Sequence, residues 1–201
     1  MQIVPTLDDF PVFELSGVDL PNIPISNELA YEENLLSSVS NKRKEIIDIP
    51  NNFLERWHQH GATIEQFITD PQLQINTPEI GAMWFGKNQK FKWNNDYPPR
   101  ILLDGAGFYM EPHLDNRDVF AVVIVNLQDN PEGSGTQMIS PFERRPSMKD
   151  QTVYQGPTEK GTGILFFNNW NTWHRIQNNS DKNRLIAYYT CLLYTSSPRD
   201  S

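Results

Sequence analysis

The stretch YMEPHLDN, residues 109–116, carries an imidazole and a carboxylate at alternate positions, His113 and Asp115. Along a β-strand, alternate side chains project from the same face, here with their backbones roughly 7 Å apart. Such a pair can bind one metal ion if a third donor arrives from another strand. His174, in the aromatic run FFNNWNTWH, is the natural candidate for that donor.

Two histidines and one carboxylate on one face of an octahedron leave coordination positions open, which is the ligand set of non-haem Fe(II) oxygenases. The H-x-D triplet and the single histidine, taken separately, each have an ordinary structural interpretation. An H-x-D triplet occurs in many surface loops, and a histidine among aromatic residues is often a hydrogen-bonded core residue. The order and spacing of the three residues favour a metal site.

The sequence around this stretch predicts short β-strands. From about residue 79, short apolar runs are separated by Gly, Pro and Asn, a pattern typical of a β-sandwich or barrel. Eight short strands suit a double-stranded β-helix, the jelly-roll arrangement, which encloses a pocket. The predicted strands cover residues 80–85, 100–103, 108–113, 119–127, 135–140, 163–168, 173–177 and 184–193.

The N-terminal part, about residues 1–78, is predicted to be helical and to pack on one side of the β unit. Helices are expected over 28–44 and 52–68, the second interrupted by Gly61, after a short edge strand at 10–15. The fold class is therefore mainly β (α+β): one domain over 1–201, with a jelly-roll core at about 79–194 and a polar tail at 195–201. His58 and His60, two apart on the second helix, face different directions and are expected to be surface or partly packed residues.

Arg184 opens the apolar run RLIAYY, ten residues after His174. An arginine at the start of a buried strand needs an anionic partner, because an unpaired buried charge is very costly. Guanidinium matches a carboxylate in bidentate geometry. The partner is either a ligand carboxylate or a structural Asp or Glu, and the sequence leaves both open.

In the order His113-Leu114-Asp115, then His174, then Arg184, the chain resembles the 2-oxoglutarate/Fe(II)-dependent oxygenase superfamily, in the branch that includes the prolyl-hydroxylase-like enzymes. The stretch EGSGT, residues 132–136, is similar to the family's Gly-rich turn. The stretch GTGILFF, residues 161–167, is similar to the glycine-led strand before the second histidine. The resemblance covers roughly residues 97–193.

This resemblance implies that His113, Asp115 and His174 bind Fe(II), and that Arg184 pairs with the distal carboxylate of the co-substrate 2-oxoglutarate. The implied reaction uses O₂ and converts 2-oxoglutarate to succinate and CO₂. It is coupled to oxidation of a substrate C–H bond, by default hydroxylation. Asp115 disfavours halogenation, since the family's halogenases lack that carboxylate.

The chain also departs from the family pattern. Ile186 stands where some relatives have a serine, and the stretch 123–127 (VIVNL) carries no tyrosine. Asn126 is our candidate for hydrogen bonding 2-oxoglutarate, with a turn residue as the alternative. Tyr109 has the strand parity of His113 and is expected to face the pocket or the core. The segment 141–160 is read either as a lid that contacts substrate or as an ordinary solvated loop.

Composition limits the other function classes. A formal net charge of −8 disfavours a broad nucleic-acid footprint. The single cysteine, Cys191, excludes an intrachain disulfide and is expected to be a small buried hydrophobic residue in a reducing compartment. We find no signal peptide and no apolar run of membrane-spanning length, so a cytoplasmic location is the expectation.

Two other functions stay open at this point. One is a cupin-like metal enzyme that does not use 2-oxoglutarate, against which Arg184 argues. The other is a jelly-roll binding module without activity, which leaves the His/Asp/His set unexplained. For the oxygenase, the expected substrate is a small molecule, an amino acid or a peptide. The sequence determines neither the oxidised carbon nor the oligomeric state.

Overall fold

A computed structural model describes residues 1–6, 11–25, 30–31, 42–70, 92–116, 119–139, 149–169 and 171–192. These residues form twelve strands and one helix: β1 Gln2–Pro5, β2 Val12–Ser16, β3 Ala30–Tyr31, β4 Arg43–Ile46, α1 Asn51–Ile68, β5 Arg100–Asp104, β6 Tyr109–His113, β7 Val119–Asn126, β8 Gln137–Ile139, β9 Thr152–Gln155, β10 Gly163–Phe167, β11 His174–Gln177 and β12 Arg184–Leu192.

The strands form two antiparallel sheets. In the described part of the chain, the larger sheet has the order β1-β2-β10-β7-β12-β5-β4-β3 and the smaller sheet the order β6-β11-β8-β9. The last eight strands divide equally between them, β10-β7-β12-β5 facing β6-β11-β8-β9. Along the chain, these strands pass repeatedly from one sheet to the other, which is the connectivity of the double-stranded β-helix. The predicted fold class is therefore confirmed. Strands β1 to β4 extend the larger sheet at its two edges.

Helix α1 packs on the outer face of the larger sheet. Its buried side chains recur at helical spacing, and they join one apolar cluster with alternate residues of the strands, such as Leu185 and Ala187 of β12. The predicted helix over 52–68 is therefore confirmed. Gly61 does not interrupt it. A Cβ at Gly61 would lie 2.2 Å from the Trp93 ring, so glycine is needed there for close packing and not for a break.

The inner face of the larger sheet encloses a second apolar cluster. It includes Ile124 of β7, Phe166 of β10 and Ile186 of β12, together with Met138 from the smaller sheet. The central strand β7 (VFAVVIVN) is buried along its whole length, because α1 covers one face and the barrel interior the other. The larger sheet thus separates the helix from the barrel interior.

The predicted helix over 28–44 is wrong where the chain is described. Ala30–Tyr31 and Arg43–Ile46 are strands, paired with each other, and β4 also pairs with β5. Arg43 lies opposite Asp104 in that pairing and forms a buried ion pair with it at 2.6 Å. This tertiary contact outweighs the helical pattern of the local sequence.

Other predictions need smaller corrections. The strand predicted at 10–15 is not an edge strand, because β2 is paired on both sides and Pro11 precedes it. The segment 141–160 is not all loop, since Thr152–Gln155 is strand β9. Seven of the eight predicted core strands are present within a few residues of their predicted bounds. The strand predicted at 80–85 and the tail at 195–201 lie outside the described residues.

Two simpler expectations are also addressed by the structure. Cys191 is buried and unpaired, as predicted for a small hydrophobic residue. Among the described residues, no helix combines the length and apolar composition that a membrane crossing requires.

Candidate metal centre

The two histidines meet because their strands are neighbours. His113 is the last residue of β6 and His174 the first of β11, and the two are direct partners in the antiparallel pairing. Asp115 follows two residues after β6. One ligand atom from each of the three residues lies within 4.8 Å of the other two, so the predicted metal-ligand set is brought together.

Both imidazole rings are held in the same way. The Nδ1 atom of His113 lies 2.8 Å from the carbonyl oxygen of Glu111, and that of His174 lies 3.0 Å from the carbonyl oxygen of Thr172. Because a carbonyl oxygen only accepts, Nδ1 carries the hydrogen in each ring. The Nε2 lone pairs are then left for a metal. In metal-binding histidines, the other ring nitrogen usually donates a hydrogen bond in this way and fixes the tautomer and the ring orientation.

The Asp115 carboxylate contributes an oxygen with no hydrogen-bond partner. Its Oδ1 accepts a hydrogen bond from the Tyr188 hydroxyl at 3.1 Å. Its Oδ2 is buried, lies 3.5 Å from His174 Nε2 and has no hydrogen-bond partner within the described chain. An unpaired buried carboxylate oxygen beside two imidazole nitrogens is costly in free energy unless a cation joins it. The donor set therefore fits a divalent metal ion.

Burial shifts the pKa values of His113 and Tyr188. Desolvation, followed by repulsion from His174, lowers the pKa of His113 to about 4. The ring is therefore neutral near pH 7, which is the form that binds metals. Burial and the Asp115 carboxylate raise the pKa of Tyr188, so that its hydroxyl remains a hydrogen-bond donor.

Tyr188 was not predicted as part of the site. It lies on β12 two residues beyond Ile186 and four beyond Arg184, so all three side chains point into the barrel. That parity is visible in the sequence and would have been enough to propose Tyr188 as a pocket residue.

Asn168 also escaped prediction, although it holds the loop that carries Asp115. Its side-chain amide lies within hydrogen-bond distance of three carbonyl oxygens, those of Asp115 at 3.2 Å, Asn116 at 3.0 Å and Val119 at 3.0 Å. Asn168 directly follows β10, and the Thr172 hydroxyl closes the next turn by donating to the Phe167 carbonyl oxygen at 2.9 Å. The connection between β10 and β11 thereby positions both Asp115 and His174.

Arg184 already has an anionic partner in the structure. Its Nη1 donates to Asp104 Oδ2 at 3.0 Å, and its Nη2 donates to the Thr136 hydroxyl at 3.2 Å. The side chain is completely buried, and its Nε has no hydrogen-bond partner in the described chain. Burial lowers the pKa of Arg184, while Asp104 opposes that shift. The structural carboxylate considered for Arg184 is present, and Nε is the one nitrogen of the guanidinium without a partner among the described residues.

Asn126 has a structural role at the end of β7. Its Nδ2 donates to the Pro157 carbonyl oxygen at 2.9 Å and to the Thr162 hydroxyl at 3.2 Å, and its Oδ1 accepts from Asn130 Nδ2 at 2.9 Å. Both ends of the amide are thus used by neighbouring loops. We therefore do not retain Asn126 as a contact for 2-oxoglutarate.

Tyr109 does not share the face of His113. The pairing of β6 with β11 shifts between His174 and Ile176, so Met110, and not Tyr109, has the orientation of His113. An extra residue of this kind is a β-bulge, and it reverses the alternation on one side of it. Tyr109 is 39% exposed, which agrees with an outward direction. The predicted strand parity is wrong, and we do not retain Tyr109 in the binding site.

The histidines of α1 are separate from the cluster. His60 is buried and its Nε2 lies 3.1 Å from the Asp19 carbonyl oxygen, while His58 is half-buried. Neither belongs to the group of described residues that could hold a metal ion. His58 fits the expected surface or partly packed position, whereas His60 is more buried than expected because it lies on the packed side of α1.

No protein-family model and no curated protein matches the sequence. Among solved structures, the chain is similar to a prolyl-4-hydroxylase from Pseudomonas putida at 16% identity, covering 82% of this chain and 77% of that one with a TM-score of 0.48. A viral collagen prolyl hydroxylase from Paramecium Bursaria Chlorella virus-1, in a 2-oxoglutarate complex, is 14% identical over 77% of this chain and 81% of that one, with a TM-score of 0.45.

A prolyl hydroxylase from Trichoplax adhaerens, in complex with a hypoxia inducible factor peptide fragment, is 14% identical over 75% of this chain and 62% of that one, with a TM-score of 0.47. These values describe what the chain resembles. Its fold is established by its own strand order, and the roles of its residues follow from their own contacts.

Proposed function

We propose that this protein is a mononuclear non-haem Fe(II) oxygenase that couples oxidative decarboxylation of 2-oxoglutarate by O₂ to oxidation of a substrate. The observation that carries the proposal is the unpartnered, buried Oδ2 of Asp115 beside the Nε2 atom of His174, with His113 completing the group. A facial set of two histidines and one carboxylate, with the remaining positions open, is the site that this oxygen chemistry uses.

In this proposal, His113, Asp115 and His174 hold the iron. When bound, Fe(II) would activate the oxidant O₂ with electrons from 2-oxoglutarate, and the protein would supply orientation and shielding. Tyr188 fixes the rotation of the Asp115 carboxylate through Oδ1, which leaves Oδ2 for the metal. The apolar side chains around the site, among them Phe166 and Ile186, exclude water from it.

Arg184 is our proposed partner for the distal carboxylate of 2-oxoglutarate. It has the barrel-facing parity of Tyr188, and its buried Nε is a donor without an acceptor. A carboxylate placed there would satisfy that donor with a charge-assisted hydrogen bond. Because Arg184 is surrounded by protein, such a bond would be only weakly screened by salt.

We propose a small molecule, an amino acid or a peptide as the substrate class, with hydroxylation as the outcome. The net charge of −8 supports this choice over nucleic acid, whose backbone is attracted to basic surfaces. The resemblance to prolyl-hydroxylase-like enzymes favours amino-acid or peptidyl substrates by analogy.

The test is conversion of 2-oxoglutarate to succinate by the Fe(II)-loaded protein, followed by NMR while amino acids, peptides and small molecules are screened. We expect a true substrate to stimulate succinate formation, His174→Ala to abolish it and the matched control His58→Ala to leave it unchanged. Wild-type protein that binds neither Fe(II) nor 2-oxoglutarate would contradict the proposal.

Other outcomes would favour the remaining functions. Bound iron whose spectrum does not respond to 2-oxoglutarate would indicate a cupin-like metal enzyme. Absence of tightly bound metal, with unchanged stability in a chelator, would indicate a binding module.

A further inference from the structure

Asp104 lies between two arginines inside the barrel. Arg43 donates to it twice, from Nε to Oδ1 at 2.6 Å and from Nη2 to Oδ2 at 3.1 Å. Arg184 donates from Nη1 to Oδ2 at 3.0 Å. All three side chains are buried, and together they form what we call the buried charge triad.

The triad carries one more positive charge than negative charge, since it contains two guanidinium groups and one carboxylate. A buried charge without a counterion is costly, and the unpartnered Nε of Arg184 adds an unsatisfied donor at the same place. One further anion would balance the charge and satisfy the donor. The triad is therefore suited to receive a carboxylate from a ligand.

Arg43 is the residue that makes the triad cationic. Arg184 and Asp104 alone would be a neutral ion pair, which attracts a carboxylate only weakly. Arg43 comes from β4, outside the eight strands of the jelly roll, and stands directly opposite Asp104 in the pairing with β5. Its guanidinium carbon lies 4.5 Å from the centre of the Phe108 ring, a contact that helps to hold it in place.

We infer that Arg43 is a positioning residue for the co-substrate: through Asp104 it orients Arg184, and it supplies the positive charge that seats a carboxylate. This inference rests on the proposed use of 2-oxoglutarate. Asp104 holds the Nη1 side of the Arg184 guanidinium, which leaves Nε for the incoming carboxylate. A strand added to the edge of the jelly roll is thereby part of the co-substrate site.

The experiment varies the charge of the triad and measures 2-oxoglutarate binding to anaerobic Fe(II)-loaded protein by titration calorimetry. Wild type has a triad charge of +1, Arg43→Gln has 0, and the double variant Arg43→Gln/Asp104→Asn returns to +1. We expect Arg43→Gln to weaken binding at least about tenfold. The double variant should recover most of that loss, although it lacks the carboxylate that Arg184 pairs with in wild type.

Several controls distinguish an effect of the triad charge on 2-oxoglutarate affinity from a general effect on folding. Fe(II) affinity should be unchanged in every variant, because the triad contains no metal ligand. The exposed Arg56→Gln removes the same charge from α1 and should leave 2-oxoglutarate affinity unchanged. Arg43→Lys, which keeps the charge, should stay within a few-fold of wild type and serves if Arg43→Gln fails to fold.

The inference is overturned if Arg43→Gln binds 2-oxoglutarate like wild type, or if the double variant binds more weakly than Arg43→Gln. A purely structural role of the triad predicts that second result, because each substitution would add damage. If iron-loaded wild type binds no 2-oxoglutarate, the proposed function fails and the inference fails with it. If wild type binds and Arg43→Gln binds equally well, only the inference fails.

Discussion

The two histidines of the candidate metal centre are oriented by carbonyl oxygens that lie two residues earlier in the chain, those of Glu111 and Thr172. Each bond fixes a tautomer and aims Nε2 at the same point. The backbone thus orients two of the three proposed ligands, and a side chain, Tyr188, orients the third.

Tyr188→Phe removes the hydrogen bond to Asp115 Oδ1 without changing the ring that packs in the barrel. We expect Fe(II) affinity to fall about 10- to 100-fold, the usual effect of losing a hydrogen bond to a metal ligand. The measurement is competitive Fe(II) binding against a chelator. The matched control is Tyr154→Phe, which also loses a hydrogen bond to a carboxylate, that of Glu14 at 2.8 Å. Equal effects of the two substitutions would contradict the role of Tyr188.

Asp115→Asn tests whether the metal-free site stores an unfavourable interaction. The substitution replaces the unpartnered Oδ2 by an amide nitrogen that can donate to His174 Nε2, now 3.5 Å away. We expect the free energy of unfolding of the metal-free protein to rise by about 1 kcal/mol, while stabilisation by added Fe(II) or Zn(II) disappears. Denaturant unfolding without metal measures the free energy of unfolding, and the same measurement with added metal gives the stabilisation by the metal. A metal-free variant that is clearly less stable than wild type would contradict this account.

At the scale of elements, Gly61 shows how α1 is fitted to the sheet. Trp93 lies between the helix and Tyr189, and its ring stacks on Tyr189 with centroids 4.2 Å apart. The ring occupies the space that a side chain at position 61 would need. The same position was read from the sequence as a break in the helix, because spacing alone does not reveal what packs against it.

Gly61→Ala should therefore destabilise the protein although alanine favours helices. The clash with Trp93 is expected to cost about 1–3 kcal/mol, which exceeds the gain in helix propensity of up to ~1 kcal/mol. On the exposed side of α1, the control Thr63→Ala should be neutral or slightly stabilising. Thermal or denaturant unfolding decides the matter, and a more stable Gly61→Ala protein would show that the predicted clash is absent.

Periodicity and apolar runs in the sequence were sufficient to predict α1 and most of the strands of the jelly roll. They failed where a contact distant in sequence determines the local structure. Arg43 is in a strand because Asp104, 61 residues later, is its partner. Tyr109 points outward because a β-bulge interrupts the pairing of β6 with β11, and alternation along one strand cannot reveal a bulge.

At the scale of the whole molecule, the jelly roll brings together residues that are far apart in the chain. The smaller sheet places His113 beside His174, and β12 of the larger sheet carries Tyr188 and Arg184 into the same interior. The order of His113, Asp115 and His174 in the sequence was enough to predict that these residues lie together, while the role of Arg184 stays a prediction. The partners of Arg184 could not be predicted, because Asp104 and Thr136 have no recognisable spacing from it.

In the proposed enzyme, one interior holds both Fe(II) and 2-oxoglutarate, and an anaerobic titration of Fe(II)-loaded protein with 2-oxoglutarate would detect both together. We predict a visible metal-to-ligand charge-transfer band in wild type, and a weaker band at equal 2-oxoglutarate concentration in Arg184→Gln. If iron is verifiably bound and no band appears, the metal centre would stand while the assignment of the co-substrate would be wrong.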